Sequence, residues 1–314
     1  MNSSYFDDKR LFHEPTVEQV NSHMVMSNVV PPLRKKYVNI DTRFRDDYDS
    51  SALAQYTLTL PEKLTKIKTM TAVQAEIPIS FNNISSYLNN SSLVAQSLSG
   101  EIVTATQIYT IPDGFYTSST LATYIGAHPI PFLSSYSLTT ANHSTFAVDL
   151  SGSTSVRVSF SVDISGQFDK FSLRSKLGWY MGFRKASYTF TTGGSWVSEA
   201  AVDLTSPRYL FLVVDDFQHS ITGDTSFVSP LYRSIINKNI LARLSGGVIQ
   251  VNQGCVFSNV YDFNEYTGLV SETRKYPGSG GQIQRLLISL VDEFGRILDL
   301  NGLDFSVCLK LECE

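Results

Sequence analysis

A chain of 314 residues with 42% hydrophobic and only 17% charged residues is long enough to bury a large core, in one large domain or two small ones, and sparsely charged for a free soluble enzyme. A net charge of −4 implies no surface built to neutralise phosphates, so no specific nucleic-acid binding is expected. No apolar stretch approaches the length needed to cross a bilayer, and three cysteines without regular spacing form no disulfide framework, which fits a reducing place of folding.

Residues 1–36 show little periodicity and end in Pro31-Pro32 and the basic run Arg34, Lys35 and Lys36. The opening MNSSYFDDKRLFHEP is polar and acidic and lacks the apolar centre of a secretory signal. Proline pairs stiffen an extended chain and block helix, so this segment reads as an N-terminal arm that orders against a partner. The basic run is either a solvated linker or a contact to nucleic acid.

From Tyr37 the pattern changes. Gln55 to Leu60 alternates Tyr56, Leu58 and Leu60 with threonines, the period of a half-buried strand, and Pro61 is expected to stop it. Residues 66–80 form a second extended run that places Ile67, Val73, Ala75 and Ile77 on one face. Residues 101–111 are strand-like and end in the turn Pro112-Asp-Gly114. A short helix is predicted over 116–126, capped by Thr117 or Ser118, with Leu121, Tyr124 and Ile125 on one face and Gly126 at its end.

Residues 154–164 alternate cleanly through Val156, Val158, Phe160, Val162 and Ile164. A second helix is expected over 170–177, stopping at Gly178. The unbroken apolar run from Tyr209 to Val214 suits a strand buried on both faces, and residues 285–291 and 304–311 close the series. In the last of these Phe305, Val307, Leu309 and Leu311 face inward. Segments 127–150 and 184–206, rich in Ser, Thr, Gly and Asn, read as surface loops or inserted hairpins. Many strands with two short helices predict an all-β antiparallel sandwich or barrel.

Little in the sequence points to chemistry. The histidines His13, His23, His128, His143 and His219 are scattered, with no metal-ligand spacing, and Cys255, Cys308 and Cys313 form no CxxC. Cys308 and Cys313 should lie on opposite faces of one strand. The segment Lys275 to Gly281 (KYPGSGG) has the glycines of a phosphate loop but not its Gly-Lys-Ser ending or its helix, and reads as a flexible turn. The neighbouring acids Asp46-Asp47 and Asp215-Asp216 point in opposite directions on an extended chain, which does not suit general acid–base work. Sequons at Asn2, Asn83, Asn89, Asn90 and Asn142 reflect an Asn- and Ser-rich composition. No catalytic, metal or cofactor site is expected, and no enzyme activity.

Three stretches carry a resemblance. They are Tyr37 to Arg45 (YVNIDTRFR) with Ser50-Ser51, the strand ending at Pro61 and residues 66–78; Ile111 to Thr117 (IPDGFYT) before the first helix, with Leu177-Gly178 after the second; and Val291 to Gly302 (VDEFGRILDLNG) with the final strand. In this order they resemble the penton and minor capsid proteins of large eukaryotic double-stranded DNA viruses. The resemblance spans most of residues 37–314 and implies a single jelly roll in an icosahedral shell, preferably the pentameric vertex. It further implies a homo-oligomer in contact with the major capsid protein and other minor capsid proteins, made in the host cytoplasm and located in the virion.

On that reading the candidate assembly residues are Arg43, Phe44 and Arg45, together with the basic run Arg34, Lys35 and Lys36. An arginine before the first strand can pair bidentately with a neighbour's carboxylate; equally, Phe44 can plug the barrel end while the arginines stay solvated. The alternatives are a minor or cement protein between capsomers and a glycan-binding attachment module on the same fold. The latter draws only on the loop aromatics Tyr136, Tyr188 and Trp196.

Overall fold

The computed structural model describes residues 32–45, 54–132, 135–139, 145–149, 155–159, 173–191, 195–218, 227, 239–245, 258–263 and 270–314. The arm residues 1–31, Asp46-Asp47, Cys255 and the strand expected at 160–164 lie outside them, as do all the histidines except His128.

In chain order, β1 (Arg34–Asp41) leads through a 3-10 turn at Thr42–Phe44 to β2 (Gln55–Pro78), then β3 (Ser92–Ser99), β4 (Ile102–Thr110) and helix α1 (Ser118–Ala127). The next strands are β5 (Ser135–Thr139), β6 (Thr145–Asp149) and β7 (Ser155–Ser159). A 3-10 turn at Leu173–Ser175 precedes helix α2 (Leu177–Tyr180). Then come β8 (Ser187–Phe190), β9 (Ser195–Val197), β10 (Tyr209–Asp215), β11 (Ile240–Ser245) and β12 (Ser258–Asp262). The chain closes with β13 (Val270–Ser271), β14 (Thr273–Lys275), β15 (Gly281–Asp292) and β16 (Ser306–Cys313).

Every strand pairing is antiparallel. The largest sheet runs β1-β16-β2-β15-β10-β11-β13, and β12 and β14 also pair with β2. Only Glu272 separates β13 from β14, so the path from β2 through β15, β10, β11 and β13 returns to β2 and closes. The result is an all-β barrel of jelly-roll type. One core fills it, with Ile67, Met70, Leu212, Leu241, Ile288 and Leu309 fully inside.

β2 holds this together and departs most from the sequence reading. It continues through Pro61 for 24 residues. Proline is tolerated there because the β15 register jumps from Arg285 opposite Thr59 to Ile283 opposite Leu64, and Pro61 lies in the bulge. Further register shifts on the β16 side skip Val73 and Lys68. Each inserted residue moves the following side chains to the other face, so Met70 and Ala72 are buried and Val73 is only half-buried.

The helices also shift. Thr117 caps α1, accepting from Thr120 N, and Leu121 and Ile125 are buried as expected, but Gly126 lies inside the helix and His128 ends it. The second helical segment falls later than expected, with Gly178 inside α2. It is buried there. β10 is buried on both faces, as its unbroken apolar run requires. β16 alternates as read, leaving Cys313 buried and Cys308 half-buried.

Ile84, Leu93, Ile111, Leu121, Val156, Leu177 and Phe190 belong to a second apolar core around the sheet β4-β3-β7-β8, to which α1 and α2 contribute. The segments expected as inserted hairpins supply β5, β6 and β9, a small separate sheet, and also β8. Arg296 Nη1 donates to Leu88 O at 2.8 Å and Tyr87 Oη to Ile297 O at 2.8 Å, tying the two cores together.

The turn at Pro277–Gly280 fixes how β14 hands over to β15. A Cβ on Gly281 would lie 2.6 Å from the Tyr276 ring, which is itself buried. Gly281→Ala should therefore lower unfolding stability by about 1–3 kcal/mol, the usual cost of overpacking, measured by denaturant titration.

Candidate assembly surface

The turn that follows β1 is locked from two sides. Thr42, fully buried, donates its hydroxyl to Asp304 Oδ1 at 2.6 Å and accepts from Phe305 N at 2.9 Å, which fixes the turn to the start of β16. Asp41 caps the turn by accepting from Arg43 N at 3.0 Å. The Arg43 guanidinium grips the same carboxylate through Nε at 3.0 Å and Nη2 at 2.5 Å, and this pairing holds Asp41 below the usual carboxylate range. Arg43 therefore spends its fork on its own chain rather than being held open for a neighbour.

Phe44 is not a plug for the barrel end. It is 80% exposed, with the Arg43 guanidinium 5.7 Å from its ring centre. Beside it lies an open cleft of about 250 Å³ lined by Asp41, Arg43, Glu76, Asp304, Phe305 and Ser306. The sequence reading missed this acidic cleft. Its carboxylates are far apart in the chain and are gathered by register alone: Ser306 pairs with Asp41 on one side and with Glu76 on the other. Arg45 is half-buried at the end of the turn, its backbone N–H donating to Thr42 O.

The basic run lies in β1, which begins at Arg34, three residues before the boundary expected at Tyr37. Arg34, Lys35 and Lys36 are exposed along the outer edge of the sheet, and Lys36 Nζ approaches Glu62 at 3.4 Å. Neither a loose linker nor a compact phosphate site describes this arrangement. Among the described residues it is a basic sheet edge, which disfavours pairing with any strand that does not answer its charge.

Other candidates resolve into structural roles. Asp216 is buried with Arg274, 3.2 Å away, and accepts from the Tyr276 hydroxyl, while Asp215 caps Phe217 N at 2.9 Å, so the two acids share no cleft. Asn83 and Asn90 are buried and bonded to backbone, which gives these two sequon positions a packing role. The Tyr188 hydroxyl donates to Glu199 at 2.8 Å and accepts from Arg184 N and Lys185 N, and its ring stacks on Phe190. Among the described residues no group of three or more His, Cys, Asp or Glu side chains could hold a metal ion, and no helix is long and apolar enough to cross a membrane.

The fold and this surface define an antiparallel jelly-roll protein whose distinctive features lie on its outside. No family model matches the chain, and no curated protein matches it in sequence. Among solved structures it is similar to the mavirus penton protein, at 10% identity and a TM-score of 0.41 over 90% of this chain and 100% of that one. It is also similar to a chain of the Sputnik virophage structure, at 12% identity and a TM-score of 0.36 over 90% and 98%. Likenesses this distant carry nothing about function.

One carboxyl in the turn after β15 titrates in the neutral range. Burial, and then the neighbouring Asp292, push Glu293 up to about 7, and its Oε2 is buried without a hydrogen-bond partner. The folded state holds this proton more tightly than the unfolded chain does. Glu293 should therefore make stability fall as pH rises from about 4.5 to about 7, by roughly 3 kcal/mol, and level off above that. Melting across this range should be visibly flatter in Glu293→Gln.

Proposed function

We propose that this chain is a structural subunit of an icosahedral viral shell that assembles with copies of itself into a closed ring, preferably the five-membered vertex. The observation that carries the reading is the polarity of the β1 edge. A ring of identical subunits needs two different, complementary patches on each copy. One end of β1 carries Arg34, Lys35 and Lys36; the other, about 24 Å away, opens on a cleft in which Asp41 is paired with Arg43 and Glu76 and Asp304 leave the balance acidic. The cations of one copy suit the carboxylates of the next, a head-to-tail match that steers encounter and sets register.

Phe44 supplies the apolar anchor beside that cleft. An aromatic ring this exposed costs little to leave in water singly, but it is the kind of residue that dominates an interface when covered. The sequence resemblance to penton and minor capsid proteins supports the same reading, as does a surface poor in charge. The partners it implies are further copies of the chain, the major capsid protein and other minor capsid proteins. The part of the N-terminal arm that precedes β1 would serve as a contact to those neighbours, and the remainder as one body.

Native mass spectrometry and sedimentation of the purified chain should show rings of five that weaken as salt rises, because the matched charges are exposed. Phe44→Ser should leave the melting temperature unchanged and raise the concentration needed for ring formation about tenfold or more. A chain that stays monomeric at high concentration, or rings indifferent to both Phe44→Ser and salt, would sink the reading.

A further inference from the structure

The two cores are tied at the turn that follows β15, and a carboxyl with an unanswered oxygen sits in that seam. On the barrel side, Asp292 accepts from Phe294 N at 2.9 Å, Arg296 N at 2.8 Å and Arg296 Nε at 2.7 Å. Arg296 then reaches across to Leu88 O at 2.8 Å. On the other side, the buried Tyr180 of α2 hydrogen-bonds Ser206 Oγ at 3.1 Å and feels the charges of Arg296, Glu293 and Asp292. Its backbone carbonyl accepts from Asp203 N at 2.8 Å, which seats α2 against the segment leading into β10. Glu293 lies among these groups. The backbone N–H groups of Glu293 and Arg208 approach its carboxyl, yet Oε2 is shut off from solvent and has no donor.

We propose that Glu293 is a proton-dependent latch between the barrel and the second core: its neutral form keeps the seam closed, and its ionised form opens the seam to water. A carboxylic acid with one unanswered oxygen is tolerable in a dry seam. A carboxylate there is far costlier, because its charge has lost water and no donor replaces it. The charged groups nearby are committed elsewhere. Arg296 is held by Asp292 and Leu88 O, and the Arg208 guanidinium pairs with Asp203. Lys176, buried at the head of α2, donates to Asn89 O at 2.7 Å. Asp292 opposes a second negative charge, and burial pushes Tyr180 and Tyr87 above the usual tyrosine range, so both stay neutral. Water is the remaining donor, and admitting it parts α2 and Leu88 from the turn.

The sign follows from where the proton is held more tightly. Burial and then Asp292 raise the closed form to about 7, from the ordinary glutamate value of 4.5 that an open, hydrated carboxyl regains. Below about 4.5 both forms are protonated and the latch is indifferent to pH. Above that the open form gains with each step of pH until the closed form also ionises, which makes opening about tenfold easier at pH 8 than at pH 6. The device lies inside one subunit and does not rest on the ring proposed above.

Hydrogen exchange of the full chain at pH 6 and pH 8, read by mass spectrometry and corrected for the intrinsic rate at each pH, measures opening segment by segment. Segments 84–90 and 177–183 should exchange faster than the barrel centre in β10 and β15, and should lose protection about tenfold from pH 6 to pH 8. In Glu293→Gln, which is neutral at both pH values, that difference should vanish. Equal protection of the seam at the two pH values overturns the proposal without any variant. So does a seam that exchanges no faster than the barrel centre, which would leave the proton to global unfolding alone. A pH step that survives in Glu293→Gln overturns it as well.

Discussion

Twenty-four consecutive residues of β2 must find partners for their backbone N–H and C=O groups, and the rest of the barrel is arranged around that demand. One edge is served by a single pass of the chain from Ser258 to Ser289, through β12, β14 and β15 in turn. The other edge, over the second half, is served by β16, which is itself covered by β1. A flat strand of this length could not close on one core. The bulges at Pro61, Lys68 and Val73 and the left-handed Lys66, φ 56°, bend it so that the two halves take different neighbours around the same apolar interior.

That arrangement also decides where polar chemistry can sit. Two charged pairs inside are hydrogen-bonded as well, Asp216 with Arg274 and Tyr276, and Asp292 with Arg296 at 2.7 Å. Such pairs are costly to desolvate, and their value here is positional: Arg296 reaches on to the Leu88 carbonyl and fixes the second core to the barrel.

β1 is basic at one end and meets an acidic cleft at the other, a pattern that suits head-to-tail contact. The Arg43–Asp41 pair contributes by stiffening the turn that displays Phe44, so the ring is presented in one orientation rather than sampled by a loose loop.

Periodicity and composition alone determined the β class, the inward face of β16, the doubly buried β10 and the first helix with its cap at Thr117 or Ser118, because each depends on a few adjacent residues and a local period. The sequence also marked Phe44 and the basic run as candidates without saying whether they faced in or out. Tertiary structure decided that, and it decided the phase of β2 beyond Lys66, since a bulge is set by what the partner strand requires and leaves no trace in the alternation itself. It alone brought Asp41, Glu76 and Asp304 to one cleft and left β4 at an edge, for the same reason: cross-strand register joins residues that the chain keeps far apart.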